Sequence, residues 1–174
     1  TFRFTGEVFA LPEGTICFPN EPIIRITAPI IEAQLIETFI INTINLQTTI
    51  ASKASRVVLA SDKKPVVDFS LRRTQGHDAG MKVARASYIA GCAGTSNTLA
   101  GMKYNIPIFG TMAHSYVMSF ENEEKSYESY AKTFPSNTIL VVDTYDTLRG
   151  IEKAIITAKN MEKKGHKLKG IRLD

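Results

Sequence analysis

Polar residues collect directly after short apolar runs at five places in this chain: Leu71-Arg72-Arg73-Thr74-Gln75-Gly76, Gly94-Thr95-Ser96-Asn97, Gly110-Thr111-Met112-Ala113-His114-Ser115, Asp143-Thr144-Tyr145-Asp146, and Arg172 with Asp174. Arginine offers a planar fork to carboxylate or phosphate. Gly-Thr-Ser and Gly-Thr at helix starts turn backbone N–H groups toward an anion. Together these residue types suit an anionic, phosphorylated substrate. Adjacent Arg72 and Arg73 cannot both point one way from a strand, so one of them reads as structural. Thr95, Ser96 and Thr111 read equally well as plain helix caps, and Asp146 as the cap of the helix after it. His114 taken alone reads as a hydrogen-bonded structural histidine. Asp143 ends an otherwise apolar run, where a bare carboxylate is costly, so it calls for a ligand or an arginine partner.

Several chemistries are excluded by motif. The chain has neither the G-x-x-x-x-G-K-[ST] phosphate loop nor the G-x-G-x-x-G dinucleotide fingerprint. It also lacks a G-x-S-x-G nucleophile elbow, and its three histidines are too dispersed for a zinc site. Cys17 and Cys92 are too few and too far apart for a disulfide framework and read as reduced, buried thiols, which suits a cytoplasmic setting. The net charge of +4 over 174 residues is modest. Its basic end, Lys153 to Lys169, places most lysines on the wet face of a helix, with no aromatic residues between them to stack bases, so nucleic acid is not expected as a partner. The longest apolar run is broken by Asn42, Thr43 and Asn45, so no membrane span is expected.

The elements that must position these residues fall into two regimes. Over residues 1–29, three short strands are expected at 6–11, 15–18 and 23–27, separated by Pro12-Glu13-Gly14 and Pro19-Asn20-Glu21-Pro22 turns. So few strands bury no core by themselves. Residues 30–60 hold a long helix and a linker. Pro29 sits at its start, no Gly or Pro interrupts it to about Ala54, and few charges lie on it, which implies burial between layers or subunits. Over 61–174, strands at 66–71, 106–109, 138–143 and 170–173, with a short strand or turn at 91–96, alternate with helices at 78–88, 98–104, about 112–120, about 123–133 and 151–163. Apolar strands alternating with helices predict an α/β fold with a parallel sheet covered on both faces. An eight-unit barrel needs roughly 250 residues, so the chain is expected to be part of a longer polypeptide.

At these residues a family resemblance emerges. Phe69-Ser70-Leu71-Arg72-Arg73-Thr74-Gln75-Gly76, Ala93-Gly94-Thr95-Ser96-Asn97, Gly110-Thr111-Met112-Ala113-His114-Ser115 and Val142-Asp143-Thr144-Tyr145-Asp146-Thr147 occur in that order. With Gly6-Glu7-Val8, Glu13-Gly14 and Pro19-Asn20-Glu21-Pro22, the ordered set resembles nicotinate phosphoribosyltransferase, a type II phosphoribosyltransferase. The resemblance implies an irregular TIM-like α/β barrel preceded by strands of a β-rich, open-faced sandwich N-terminal domain, in a homodimer with shared active sites. It implies formation of nicotinate mononucleotide and pyrophosphate from nicotinate and phosphoribosyl pyrophosphate in NAD salvage, coupled to ATP hydrolysis.

The same resemblance assigns roles residue by residue. His114 is the histidine phosphorylated by ATP. Arg72 or Arg73 takes the pyridine carboxylate. Asp143, Arg172 and Asp174 fall where the phosphoribosyl group and Mg²⁺ are held, the metal indirectly through Asp143 and Asp174, while Thr95, Ser96 and Thr111 are further substrate-binding candidates from their Gly-Thr loops rather than from the resemblance. The segment that closes over the pyridine ring and the Gly-rich loop for the 5′-phosphate are expected outside this stretch, so this stretch alone is expected to be inactive. Such a reaction needs no strong general base, because the pyridine nitrogen is already nucleophilic, which fits the lack of an acid–base dyad. Related alternatives are a quinolinate or nicotinamide phosphoribosyltransferase, the double arginine favouring an acid over an amide. A non-catalytic fragment that binds phosphorylated metabolites is an alternative of a different class.

Overall fold

A computed structural model of the chain describes residues 2–174. It divides into two compact units, one ending at Phe109 and the other running Gly110–Asp174.

The first unit opens with an antiparallel pair, β1 (Glu7–Ala10) and β2 (Ile24–Thr27), in register Glu7 to Thr27 and Ala10 to Ile24. The strand expected at 15–18 does not form. It lies between turns whose Gly14 and Asn20 both carry positive φ, at 83° and 68°, and so has no room to join the ladder. Helix α1 (Ile30–Ala60) follows, with Pro29 as its N-cap residue, and it runs six residues beyond the expected end at Ala54. Helix α2 (His77–Ile89) packs against α1 and buries Met81, Val83, Ala84 and Ala86.

Strand β3 (Val67–Asp68) is shorter than the run 66–71 suggests and pairs in parallel with β4 (Gly94–Thr95). The cause is local: Ser70 N–H and its hydroxyl both turn back onto Asp68 Oδ1, at 3.0 and 2.6 Å, which ends the strand and starts a 3-10 turn at Leu71–Arg73. After β4, Asn97 caps α3 (Thr98–Tyr104), accepting from Ala100 N–H at 3.1 Å. The strand expected at 106–109 is reduced to a single bridge between Thr95 and Ile108, because Pro107 has no N–H to donate to a ladder. Gly94 is required there: a Cβ would sit 2.3 Å from the Pro107 carbonyl oxygen.

The second unit holds α4 (His114–Met118), α5 (Glu123–Thr133), β5 (Ile139–Val141), α6 (Thr147–Glu162) and β6 (Gly170–Arg172). β5 and β6 are parallel, Ile139 opposite Gly170 and Val141 opposite Arg172. The core of this unit is Met112, Val117, Tyr127, Leu140, Val141, Val142 and Ala154. Val-Leu-rich β5 is buried as a near-continuous apolar run, as a strand of a covered parallel sheet should be. Among the described residues the parallel strands pair in twos.

Cys92 is buried and Cys17 half-buried, and both are free thiols. No helix of the described residues is long and apolar enough to cross a membrane.

Candidate active site

In the second unit, the loops after β5 and β6 and the turn before α4 bring their polar residues together. His114 is the first residue of α4 and its side chain is 36% exposed. Its Nδ1 lies 3.1 Å from Thr144 Oγ1. Its Nε2 faces two carboxylates, 3.4 Å from Asp174 Oδ2 and 3.8 Å from Asp143 Oδ1. The two acids are tied to each other through the backbone, as Asp174 N–H donates to Asp143 Oδ2 at 2.7 Å. Arg172 donates to Asp174 Oδ1 at 2.6 Å and to Thr111 Oγ1 at 2.5 Å. A histidine, two acids, an arginine and two hydroxyls thus share one patch. All but Thr144 were expected from the sequence.

Asp143 Oδ1 is buried and has no hydrogen-bond partner among the described residues. Leaving a buried carboxylate oxygen unmatched costs free energy unless something binds it. That oxygen beside Asp174 is a hard-oxygen pair, the set that suits Mg²⁺ held by one or two carboxylates together with phosphate oxygens. Among the described residues no three His, Cys, Asp or Glu side chains converge into an all-protein metal cage.

The walls behind this patch hold it in place. Buried Glu123, on α5, accepts from Tyr127 hydroxyl at 2.9 Å and from Lys153 Nζ at 3.2 Å. The same Tyr127 hydroxyl lies 2.8 Å from the Val141 carbonyl oxygen, at the end of β5 that leads into Asp143. Burial, and then the hydrogen bond to Glu123, push the Tyr127 phenol far above its ordinary range. Burial alone would lower Lys153, but the Glu123 and Glu124 carboxylates outweigh it and hold its ammonium above the usual lysine value. On the other side Gly150, in the first turn of α6, lets that helix meet β5, since a Cβ there would be 2.1 Å from the Val142 carbonyl oxygen. Asp146 caps α6, accepting from Arg149 N–H at 2.9 Å.

The first unit carries a second polar cluster at the ends of β3 and β4. Asp68 Oδ2 accepts from the Thr95 hydroxyl at 2.8 Å, while Oδ1 takes both bonds from Ser70. Thr95 is fully buried, and its oxygen also accepts from Asn97 N–H at 3.0 Å. Asn97 reaches α2 through Gly80 O at 3.3 Å. Thr95 is therefore occupied in joining strand, helix cap and turn. Ser96 is half-buried beside it, and Arg72 and Arg73 are exposed on the 3-10 turn. Among the described residues neither guanidinium of that pair has a hydrogen-bonding or ionic partner.

Asp68, Asn97, Thr144, Glu123 and Tyr127 are absent from the sequence-based candidates. For Asp68 a signal existed: Val66-Val67-Asp68 repeats the pattern of Val141-Val142-Asp143, an acid closing an apolar strand.

The family described as "Nicotinate phosphoribosyltransferase (NAPRTase) family" matches residues 65–168, and the one described as its N-terminal domain matches residues 1–45. The chain belongs to the nicotinate phosphoribosyltransferase family. It is 56% identical over 172 residues to nicotinate phosphoribosyltransferase pncB2 of Mycobacterium tuberculosis, covering 99% of this chain and 37% of that relative. It is 44% identical to nicotinate phosphoribosyltransferase of Bacillus subtilis, covering 95% of this chain and 34% of that protein. Its fold superposes on the crystal structure of human nicotinic acid phosphoribosyltransferase with a TM-score of 0.91 at 27% identity, covering 98% of this chain and 44% of that one. The chain thus spans a little over a third of the length of the curated relatives it matches.

Proposed function

We propose that the whole protein of which this chain is a part is a nicotinate phosphoribosyltransferase, making nicotinate mononucleotide and pyrophosphate from nicotinate and phosphoribosyl pyrophosphate. The observation that carries the reading is the patch of His114, Asp143, Asp174, Arg172 and Thr111, in a chain of this family.

The chemistry follows from the residues. The pyridine nitrogen attacks C1 of the ribose and pyrophosphate leaves, through a transition state with positive charge on the sugar. Asp143 and Asp174 supply negative charge near that centre, and Arg172 neutralises phosphate oxygens. Mg²⁺, when bound, screens the pyrophosphate, and Asp143 Oδ1 with Asp174 are the atoms to hold it. Arg72 or Arg73, exposed and unpaired on its turn, takes the nicotinate carboxylate, with Ser96 beside the ring. His114 accepts the γ-phosphoryl group of ATP on a ring nitrogen as ADP leaves; this is the point at which ATP hydrolysis is coupled to substrate binding.

The fuller architecture belongs to the same proposal: an irregular TIM-like barrel behind a β-rich sandwich domain, with residues 1–29, 30–60 and 61–174 as sandwich strands, connecting helix and first part of the barrel. It acts as a cytoplasmic homodimer with shared active sites.

The test is turnover of the full-length protein with phosphoribosyl pyrophosphate and nicotinate, nicotinamide or quinolinate, with and without ATP. Nicotinate is expected to be the preferred substrate, with ATP lowering its KM. The protein incubated with ATP should acquire one acid-labile, base-stable phosphate that maps to His114. Preference for the amide or the diacid refutes the substrate assignment. Binding of phosphorylated metabolites without any turnover leaves the non-catalytic reading standing. A phosphate on another residue, or an ATP response that survives His114→Ala, refutes the coupling role.

A further inference from the structure

We propose that Asp68 is a positioning residue for acid recognition: by gripping Ser70 with one oxygen and Thr95 with the other, it fixes where the Arg72–Arg73 turn stands relative to the Ser96 strand end. The proposal rests on the reading that one of these arginines binds the nicotinate carboxylate.

The two strand-ending acids of this chain differ in one respect. Asp143 keeps a buried oxygen without a partner. Asp68 has none to spare, because Oδ1 takes the Ser70 N–H and hydroxyl at 3.0 and 2.6 Å and Oδ2 takes the Thr95 hydroxyl at 2.8 Å. Asp68 is thus committed to the chain itself rather than to a ligand. Its grip also has a direction. Ser70 O accepts from Arg73 N–H at 2.7 Å, so the residue held by Asp68 is the one on which the arginine turn is built. On the other side, the Asp68 carbonyl accepts from Ser96 N–H at 2.8 Å, and Thr95 passes the connection to Asn97 and α3. One half-buried residue thereby bonds both polar loops of this unit. The arginines are exposed and lack partners of their own among the described residues, so nothing on their side chains sets their place. The backbone turn beneath them must do so, and a misplacement of about 1 Å in a recognition group is enough to matter.

The experiment measures KM for nicotinate and for phosphoribosyl pyrophosphate, kcat and Tm in the full-length protein and in Asp68→Asn. The variant keeps the shape but puts an NH₂ against the Thr95 hydroxyl or against Ser70, losing at least one bond. The expected result is a nicotinate KM raised about tenfold or more, with the phosphoribosyl pyrophosphate KM within about twofold and kcat largely kept. Ser70→Ala, which removes one bond, should raise the nicotinate KM less. Thr95→Val should behave like Asp68→Asn and Thr95→Ser should restore the parent value, and these three variants decide the matter if Asp68→Asn does not fold. A nicotinate KM unchanged while Tm or kcat falls, or both KM values rising together, overturns the proposal by showing a general structural role. Arg72→Ala and Arg73→Ala run beside them. If neither raises the nicotinate KM, the carboxylate reading fails. If one does and the Asp68, Ser70 and Thr95 variants do not, the positioning role alone fails.

Discussion

Arg72 and Arg73 stand side by side on a 3-10 turn, exposed, yet sequence and structure give them different prospects from any other basic pair in the chain. Solvated lysines such as Lys159 end a helix and need no ligand. On the proposed reading, a twinned arginine held by a braced turn is the pair that meets the nicotinate carboxylate. We expect replacement of the carboxylate-binding arginine by alanine to cost nicotinate binding about 1.5–3 kcal/mol, the range for a hydrogen bond to a charged group. The other arginine should cost well under 1 kcal/mol, as exposed charges do. Equal small losses at both positions would place the carboxylate elsewhere. At this scale the sequence was readable where a residue was out of character with its neighbours. Asp143 after Val141-Val142 and His114 after Gly110-Thr111 were visible in that way. Thr144 and Asn97 were not, because a threonine or asparagine in a loop looks the same whether it orients a histidine, ties two elements or faces water. Thr95 shows the converse: its setting next to Gly94 suggested an anion contact, while its buried hydroxyl is used by Asp68 and Asn97.

Elements carry the site by their ends. The ladders of β3 and β5 stop within a residue or two of Asp68 and Asp143, and the helices after β4 and β5 are capped by Asn97 and Asp146. Helix limits at 98–104 and 123–133 match the structure, because caps and apolar spacing are local, while the helix expected at 112–120 is only His114–Met118 and the one expected at 151–163 already starts at Thr147, behind its Asp146 cap. Strand lengths were not, since they depend on partners. Pro107 and the Asp68–Ser70 turn cut short two runs that read as strands. The buried Glu123–Tyr127–Lys153 set was also hidden, because its members lie on two helices and look like surface residues in sequence. It ties α5 and α6 to the carbonyl at the end of β5.

Two expectations follow for those elements. Tyr127 and Lys153 both hold their protons more tightly folded than unfolded. Their contribution is therefore complete below the unfolded values, about 10 and 10.4, and is lost as pH climbs above them. Denaturant unfolding at pH 8 and near pH 11 should show a clear loss of stability at the higher value. Tyr127→Phe should be less stable than the parent by about 1–3 kcal/mol at pH 8 and should lose less on going to high pH. An alkaline loss that is the same size in the variant would remove Tyr127 from the account. For Gly150, alanine should destabilise by about 1–3 kcal/mol, since helix α6 must move off the Val142 carbonyl. Because Asp143 follows Val142, kcat should fall with it. A Gly150→Ala protein with parent Tm and parent kcat would show that the approach yields freely.

For the molecule as a whole, the decisive feature is the surface of α1. Over its 31 residues it buries none, although it packs on α2 along one side. Ile31, Leu35 and Phe39 are 73%, 63% and 72% exposed, and Ile30, Ile41 and Leu59 are exposed as well. Strand β1 adds exposed Val8 and Phe9. Monomeric soluble proteins seldom leave apolar patches beyond a few hundred Å² in water, and β1–β2 by themselves form only a two-stranded pair with open edges. The low charge of α1 reads in the sequence as burial between layers or subunits, whereas in the structure none of its residues is buried, so the apolar character of this surface was legible and a cover for it was not. The 174-residue chain by itself should therefore associate in solution, and the full-length protein should not aggregate, because there the same surface is covered. Light scattering with thermal unfolding of both proteins, at matched concentration, measures this. Charge on the strip, as in Leu35→Lys with Phe39→Lys, should reduce association of the short chain and impair folding or assembly of the long one. A monodisperse 174-residue monomer that unfolds in one cooperative transition would show instead that α1 is at home in water, and the covered-surface account of this helix would have to be given up.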